Sequence, residues 1–323
     1  MTAAHTCGGP HRAESQRTQQ PRPAGPIRVD FGRIGRTIRQ KMTLWSTRET
    51  TMRVVFQGEP GAYSEQALIE AMPGAESVPR PLLRDVFETL VREEADVAVV
   101  PCENSQAGTI HQTYDLLLEH AGLLHITGEH ELRVRHCLLA PLGAATETIE
   151  RAYSHPQALD QTAGWLRERG IQAVSYHDTA GAARWVAEAG DPTCGAVASS
   201  RAAEVYGLAV LAKGIEDNPT NRTRFLVVAH HAVPQAEVEG KTSLVFSTAN
   251  RPGALHRALG CLAARDVNLL KLESRPMRGE GWEYVFYVDC VGWATEPALS
   301  SAIREVERET AWVRVLGAYP RSV

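Results

Sequence analysis

Asp96-Val97-Ala98-Val99-Val100-Pro101 is an apolar run of strand length, closed by proline and followed at once by the polar stretch Cys102-Glu103-Asn104-Ser105-Gln106-Ala107-Gly108-Thr109. A short apolar run bounded by turn residues reads as a buried strand. Upstream, residues 53–57 form another short strand, Gly58-Glu59-Pro60-Gly61 a turn, and 62–71 a helix stopped by Pro73-Gly74. A strand near Ser77-Val78 and a helix over 82–91 complete the approach. Downstream, 110–120 reads as a helix and 123–140 as strand, turn, strand. Strands and helices that alternate in this way imply a mainly parallel sheet covered by helices.

The alternation continues. Residues 151–154 form a strand that enters a helix at Pro156, where a missing N–H costs nothing. After a strand over 171–176, Asp178 caps a helix over 179–189, which Gly190-Asp191-Pro192 ends. Residues 194–198 are a strand, and Ser199 or Ser200 caps a helix to Tyr206. Asn218-Pro219-Thr220-Asn221 is turn chemistry, and Phe225-Leu226-Val227-Val228 a buried strand. Residues 231–240, with Pro, Gly and charge, read as a linker. From 241 the order is strand, helix, strand, strand, helix, strand, the split βαβ pattern of a ferredoxin-like sandwich.

The 323 residues suffice for two or three domains. No apolar run reaches the roughly 20 residues of a membrane span. The six cysteines are scattered without a C-x-x-C pair, which argues for reduced thiols in a cytoplasmic setting. Residues 1–50 carry eight Arg and one Lys against Glu14, Asp30 and Glu49, while the whole chain has a net charge of −4. The remainder is therefore acidic, which excludes nucleic acid as an expected partner. The first fifty residues are poor in large apolar side chains and read as a disordered leader, either an organelle transit segment or sequence upstream of a start at Met42 or Met52.

Several turns carry groups that could do chemistry. Thr223 and Arg224 place a hydroxyl and a guanidinium at the mouth of a strand, which suits a small carboxylate substrate that must gain or lose a proton. Taken alone, the pair also suits a turn with a solvated Arg. Gly58–Ser64 could cradle an anion on helix N–H groups or be simply a tight turn. Glu103-Asn104-Ser105 offers consecutive polar groups, and Ser154-His155-Pro156-Gln157 an anion-binding helix start. Asp178-Thr179-Ala180-Gly181 reads first as a cap with close packing. No G-x-S-x-G elbow, histidine metal spacing or GxGxxG fingerprint occurs, so a serine hydrolase, a metal and a nicotinamide or flavin cofactor are not expected.

Together the motifs Gly58-Glu59-Pro60-Gly61-Ala62-Tyr63-Ser64, Pro101-Cys102-Glu103-Asn104-Ser105, Tyr153-Ser154-His155-Pro156-Gln157-Ala158-Leu159, Asp178-Thr179-Ala180 and Asn221-Arg222-Thr223-Arg224-Phe225 resemble the prephenate dehydratase family, which includes the arogenate dehydratases. The tail resembles that family's ACT domain, with Gly253-Ala254-Leu255 and Glu273-Ser274-Arg275-Pro276 as ligand-binding turns. The resemblance runs from about residue 53 to 320. It implies an α/β fold: a bilobal catalytic region, like a periplasmic binding protein, over residues 51–230, and an ACT domain over 241–323. It implies decarboxylating dehydration of prephenate to phenylpyruvate without a cofactor. Thr223 would donate to the departing hydroxyl and Arg224 clamp a carboxylate. Asn104 and Ser105 would join them in the catalytic set, with Glu103 ordering the loop. Ser154, Gln157, Asn221, Phe225 and Tyr63 would bind substrate. L-phenylalanine would act as effector on a homodimer or homotetramer. Gly108–Leu117 and Arg314–Pro320 look rather like plant arogenate dehydratases, so arogenate is the alternative substrate. A non-catalytic amino-acid sensor, or a relative that decarboxylates but keeps the ring hydroxyl, are further alternatives.

Overall fold

A computed structural model describes residues 51–277 and 284–322. The leader expected over residues 1–50 lies outside these residues. In chain order the first group of elements is β1 (Arg53–Gln57), α1 (Tyr63–Ala71), β2 (Glu76–Arg80), α2 (Leu83–Val91), β3 (Val97–Asn104), β4 (Gly108–Thr109), α3 (His111–Glu119) and β5 (His125–Arg133). A second group follows: β6 (Cys137–Ala140), β7 (Arg151–Ser154), α4 (Pro156–Asp160), α5 (Ala163–Glu168), β8 (Gln172–Ser175), α6 (Thr179–Ala189), β9 (Cys194–Ala198), α7 (Ser200–Tyr206) and β10 (Ala209–Lys213). The chain then returns as β11 (Arg222–Ala229).

The first sheet has the order β2-β1-β3-β11-β5, with β4 beside β3. Strands β1, β2 and β3 are parallel, whereas β11 runs antiparallel to both β3 and β5. The second sheet has the order β10-β6-β9-β7-β8. Thus β11 leaves the second lobe to become an inner strand of the first. Local pattern cannot decide this, because Phe225-Leu226-Val227-Val228 is equally apolar beside any neighbour. Two chain crossings, after β5 and before β11, join the lobes.

Helix starts are set by local chemistry. Asp178 accepts from Gly181 N–H at 2.6 Å to cap α6, and Ser199 accepts from Ala202 N–H at 3.1 Å to cap α7. The turn at Gly58–Gly61 serves mainly to close the lobes. Ser199 Oγ donates to Gly61 O at 2.6 Å and Tyr206 OH to Pro60 O at 2.7 Å. A Cβ on Gly61 (φ +90°) would lie 2.8 Å from Ala202 Cα, so only glycine allows this approach. Arg184 donates to both Glu59 oxygens at 2.7 and 3.0 Å, and these hydrogen bonds hold the Glu59 carboxyl below the usual carboxylate range.

The C-terminal elements are β12 (Gly240–Ser247), α8 (Ala254–Ala263), β13 (Leu269–Pro276), β14 (Tyr284–Val291), α9 (Pro297–Glu309) and β15 (Trp312–Pro320). Their sheet, ordered β13-β14-β12-β15, is antiparallel throughout. Leu244, Phe246, Phe286 and Val288 face α8 and α9, where Ala258, Leu262, Leu299 and Val306 cover them. The alternate residues Val245, Val285, Tyr287 and Tyr319 pack with Ile126, Leu226 and Val228 of the first lobe in one core. Both faces of this sheet are therefore used, one within the domain and one against the first lobe. At Gly317 the approach is so close that a Cβ would fall 2.1 Å from Ile126 O.

Candidate functional site

Strand alternation builds the cleft. On β11, Thr223 and Phe225 point between the lobes and Arg224 points the other way. On β3, Asn104 faces Thr223 in register, and Glu103 faces Arg224. The cleft, about 230 Å³, is lined from the first lobe by Tyr63, Ser64, Pro101, Asn104, Thr223 and Phe225. From the second lobe it is lined by His155, Gln157, Gln161, Asp178 and Thr179, with Val134, His136 and Asn221 on the crossings.

A continuous hydrogen-bond chain runs along its wall. Asn104 Nδ2 donates to Thr223 Oγ1 at 2.9 Å and to Asn221 Oδ1 at 2.9 Å. Asn221 Nδ2 donates to Gln161 Oε1 at 2.9 Å, and His136 Nε2 meets the same oxygen at 2.8 Å. With Nε2–H donating there, His136 Nδ1 accepts from Tyr63 OH at 2.8 Å. Burial lowers the His136 pKa from 6.5, which favours the neutral ring, and the acceptor Gln161 Oε1 sets the tautomer. Burial likewise drives the Tyr63 phenol well above its usual range, so it remains a donor. The carbonyl of Asn104 is also occupied, accepting from Gln106 and Ala107 N–H at 3.0 and 2.9 Å. Asn104 Oδ1, pinned by these two N–H groups, fixes the polarity from Asn104 through Gln161 to His136, while the single proton of Tyr63 has both His136 Nδ1 and Arg135 O, at 3.2 Å, as acceptors. Because Thr223 Oγ1 accepts from Asn104, its own proton is free to point into the cleft.

Helix starts supply the electrostatics. The first turns of α1, at Tyr63 and Ser64, and of α6, at Thr179, open onto the cleft. The macrodipole at each start favours negative charge, and at α6 the Asp178 carboxylate already meets Gly181 N–H. Among the described residues that line the cleft there is neither Lys nor Arg.

Four sequence expectations are corrected by this geometry. Arg224 is not in the cleft: its guanidinium donates to Glu129 Oε2 at 2.8 Å, Asp289 Oδ2 at 2.7 Å and Tyr319 OH at 3.1 Å. Glu103 also faces away, 3.2 Å from Lys271 and 3.8 Å from Arg224. Ser154 is fully buried and donates to Val197 O at 2.5 Å, a structural bond inside the second sheet. Ser105 accepts from Arg222 N–H at 3.0 Å and fastens the end of β3 to β11. In each case a residue adjacent to a cleft residue takes the opposite face, as an extended backbone requires. Conversely, His136 and Gln161 line the cleft from outside every sequence motif, and His155 and Thr179 line it from within the motifs at 154–157 and 178–180. Gln161 stands four residues after Gln157, a helical spacing that could have flagged it; His136 lies in an irregular crossing with no such signal.

In the C-terminal domain a cavity of about 330 Å³ is lined by Asn250, Arg251, Gly253, Ala254, Leu255, Tyr284 and Phe286, among others. Glu273-Ser274-Arg275-Pro276 is not a turn but the end of β13. Ser274 and Pro276 pair with Phe286 and Tyr284 on the cavity's side of the sheet, whereas Glu273 accepts from Thr109 at 2.7 Å and Arg275 pairs with Asp115 at 2.9 Å. Elsewhere, Glu59, His177 and Asp178 bring ligand-type atoms within 4.8 Å of one another, but Arg184 already occupies both Glu59 oxygens.

Residues 54–233 match the family model of prephenate dehydratase. The chain belongs to the prephenate dehydratase family. Residues 242–308 match the ACT domain model. Among curated proteins, the chain is 43% identical over 279 residues to arogenate dehydratase/prephenate dehydratase 2, chloroplastic, of Arabidopsis thaliana, covering 83% of this chain and 73% of that protein. It is 41% identical over 290 residues to arogenate dehydratase 2 of Petunia hybrida, covering 85% and 73%. Among solved structures, the prephenate dehydratase of Arthrobacter aurescens in complex with L-Phe superposes with TM-score 0.76 at 32% identity, over 84% of this chain and 90% of that one. A protein named GqqA, a novel type of quorum quenching acylase, superposes with TM-score 0.79 at 38% identity, over 84% and 98%. This prephenate dehydratase family member is thus an α/β protein of the bilobal, periplasmic-binding-protein-like kind with a C-terminal ACT domain, and its family activity is that of a lyase. Among its described residues, no helix is long and apolar enough to cross a membrane.

Proposed function

We propose that the protein is a prephenate dehydratase that converts prephenate to phenylpyruvate, carbon dioxide and water. The observation that carries this is the Asn104–Thr223 hydrogen bond, which leaves a hydroxyl proton to be presented to the cleft between the lobes. The ring C–O bond breaks as the C–C bond to the leaving carboxylate breaks. The electron pair of that C–C bond completes the aromatic ring, and the departing hydroxide takes a proton to leave as water. Aromatisation drives the step, so the protein has only to position the substrate and assist the leaving group. An alcohol is a weak acid, and Thr223 acts as the hydrogen-bond donor to that oxygen rather than as the ultimate proton source. With Arg224 engaged elsewhere, the helix starts at Tyr63–Ser64 and Thr179 hold the carboxylates, with Gln157 and Asn221 as further donors. His136 and Tyr63 orient the wall of the cleft.

Arogenate is the second reading. It carries an ammonium group where prephenate has a keto oxygen, and the Asp178 carboxylate on the cleft wall is a partner for it. The curated relatives carry both substrates in their names. The C-terminal cavity fits L-phenylalanine as effector, its carboxylate at the start of α8 and its ring against Phe286. Edge strand β13 leaves Leu270 and Leu272 exposed, and a second copy of the chain would cover them in a homo-oligomer. The working division is a catalytic region over 51–230, a linker over 231–240 and a regulatory domain over 241–323. The cytoplasm is the proposed compartment, to be set against the chloroplastic relatives by imaging the full-length protein. Purified protein should form phenylpyruvate from prephenate faster than phenylalanine from arogenate, and added L-phenylalanine should change the rate. Absence of turnover on both substrates would refute the assignment.

A further inference from the structure

The back of the active-site strands is held by the other domain. Thr223 and Asn104 face each other in the cleft; one residue along, Arg224 and Glu103 face each other on the opposite side of the same two strands. There the C-terminal domain meets them. Asp289 and Tyr319 take the guanidinium of Arg224, and Lys271 of β13 lies 3.2 Å from Glu103 and donates to Thr109 at 3.0 Å. The cluster is closed by Lys241, which donates to both oxygens of Glu129 at 2.7 Å, and by Ser243, which donates to Asp289 at 2.6 Å. Tyr319 OH in turn stands 2.8 Å from Ser243 Oγ. Arg224, Lys241, Glu129 and Asp289 balance in charge, and all four side chains are buried or nearly so.

The pairing of β11 with β3 is interrupted at this point. The register of β11 on β3 shifts between Arg224 and Phe225, with Cys102 as the extra residue, so a bulge separates the Asn104–Thr223 pair from the rest of the ladder. A bulge re-aims the side chains beside it, and the ladder alone constrains them less. The forked guanidinium of Arg224, fixed at three points, supplies the missing constraint.

We infer that Arg224 and Glu103 are positioning residues through which the C-terminal domain, by Asp289, Tyr319 and Lys271, sets the Asn104–Thr223 pair for turnover. The inference rests on reading Thr223 as the hydroxyl donor, and it makes catalytic competence depend on how the regulatory domain is seated.

The test compares Asp289→Asn with Leu262→Ala in the full-length protein. Leu262 is buried between α8 and the far face of the C-terminal sheet, so its truncation weakens that domain without touching the junction. Three quantities are read: kcat and KM, the thermal midpoint, and amide hydrogen exchange in peptides covering 100–106 and 220–229. Asp289→Asn should lower kcat at least about tenfold with KM changed less than about threefold, the split expected when a transition-state contact is lost. It should also speed exchange in both peptides. Leu262→Ala should lower the midpoint as much or more, yet leave kcat within about threefold and exchange in those peptides unchanged. Equal kcat loss in the two variants, or unaltered kcat and exchange in Asp289→Asn, overturns the inference. Should the wild type turn over neither substrate, the reaction assignment fails separately and the exchange comparison alone decides the coupling.

Discussion

Asn104 donates from Nδ2 to Thr223 Oγ1 at 2.9 Å across two antiparallel strands. The amide can only donate there, because its carbonyl oxygen is held by two backbone N–H groups. The hydroxyl proton of Thr223 is thereby released toward the cleft. Replacing Thr223 by Val, which keeps the shape and removes the hydroxyl, should lower kcat by about 10²–10³, the usual span for a lost hydrogen-bond donor to developing negative charge. Thr223→Ser should keep a measurable fraction of turnover. Steady-state kinetics with a circular dichroism check of folding decides it; a Val variant as fast as wild type would leave Thr223 without a chemical role.

Asn104→Asp puts a carboxylate oxygen opposite Asn221 Oδ1, Arg222 O and Thr223 Oγ1, all acceptors or able to accept. Several bonds become repulsive contacts, and a buried acceptor without a donor costs about 1–3 kcal/mol. The variant should lose both stability and most turnover, whereas Asn104→Ala should lose turnover with a smaller drop in thermal midpoint. Thermal unfolding of the pair at one pH measures the difference.

His136 gives the cleft a pH dependence. An unfolded histidine titrates near 6.5, and burial lowers the folded value. The native state therefore binds fewer protons than the unfolded state between those values. The stabilisation is complete above 6.5 and is lost as pH falls through the lower folded value. Protonation would also convert Nδ1 from acceptor to donor and break the bond from Tyr63. The thermal midpoint should fall below pH 6.5 more steeply in wild type than in His136→Gln, with other titrating groups common to both. Parallel curves would show that His136 does not titrate as the geometry requires.

Gly317 lets β15 lie against β5 with no side chain between them. A Cβ there would sit 2.1 Å from Ile126 O, which is backbone and cannot swing aside. Gly317→Ala should cost about 1–3 kcal/mol, the range for overpacking, and loosen the junction between domains. Limited proteolysis at residues 231–239, between β11 and β12, should accelerate in step with the loss of thermal midpoint.

Gly253 sits at the start of α8 with φ +76°, and a Cβ would come 3.1 Å from Arg257 Nη1. A side chain is strained there whatever the space. Gly253→Ala should weaken L-phenylalanine binding at the 330 Å³ cavity by about tenfold, a loss of about 1.4 kcal/mol. Calorimetric titration with the amino acid reads it, and unchanged affinity would move the effector elsewhere.

The order of strands and helices was legible because burial writes itself into short apolar runs and into their stops. Asp178 and Ser199 announce their helices, and the βαββαβ order of the tail is visible from spacing. Less visible were breaks such as that between α4 and α5, which an unbroken helical pattern over 156–169 conceals. Adjacent residues in the motifs also read as one unit, although a strand sends neighbours to opposite faces. That is why Arg224, Glu103 and Ser154 seemed to belong with Thr223, Asn104 and Gln157.

By itself the chain determined which segments are strands and helices, that they form two α/β lobes and a ferredoxin-like tail, and that Thr223, Asn104, Gln157 and Tyr63 carry groups able to meet a polar ligand. Only the tertiary structure decided that β11 returns to the first sheet, that His136 and Gln161 complete the wall of the cleft, and that Arg224 belongs to the junction with Asp289 and Tyr319. The reason is range. Hydrophobic period and capping act over a few residues and are written locally, whereas a guanidinium takes whichever carboxylates the packed sheets bring to it, here 65 and 95 residues away along the chain.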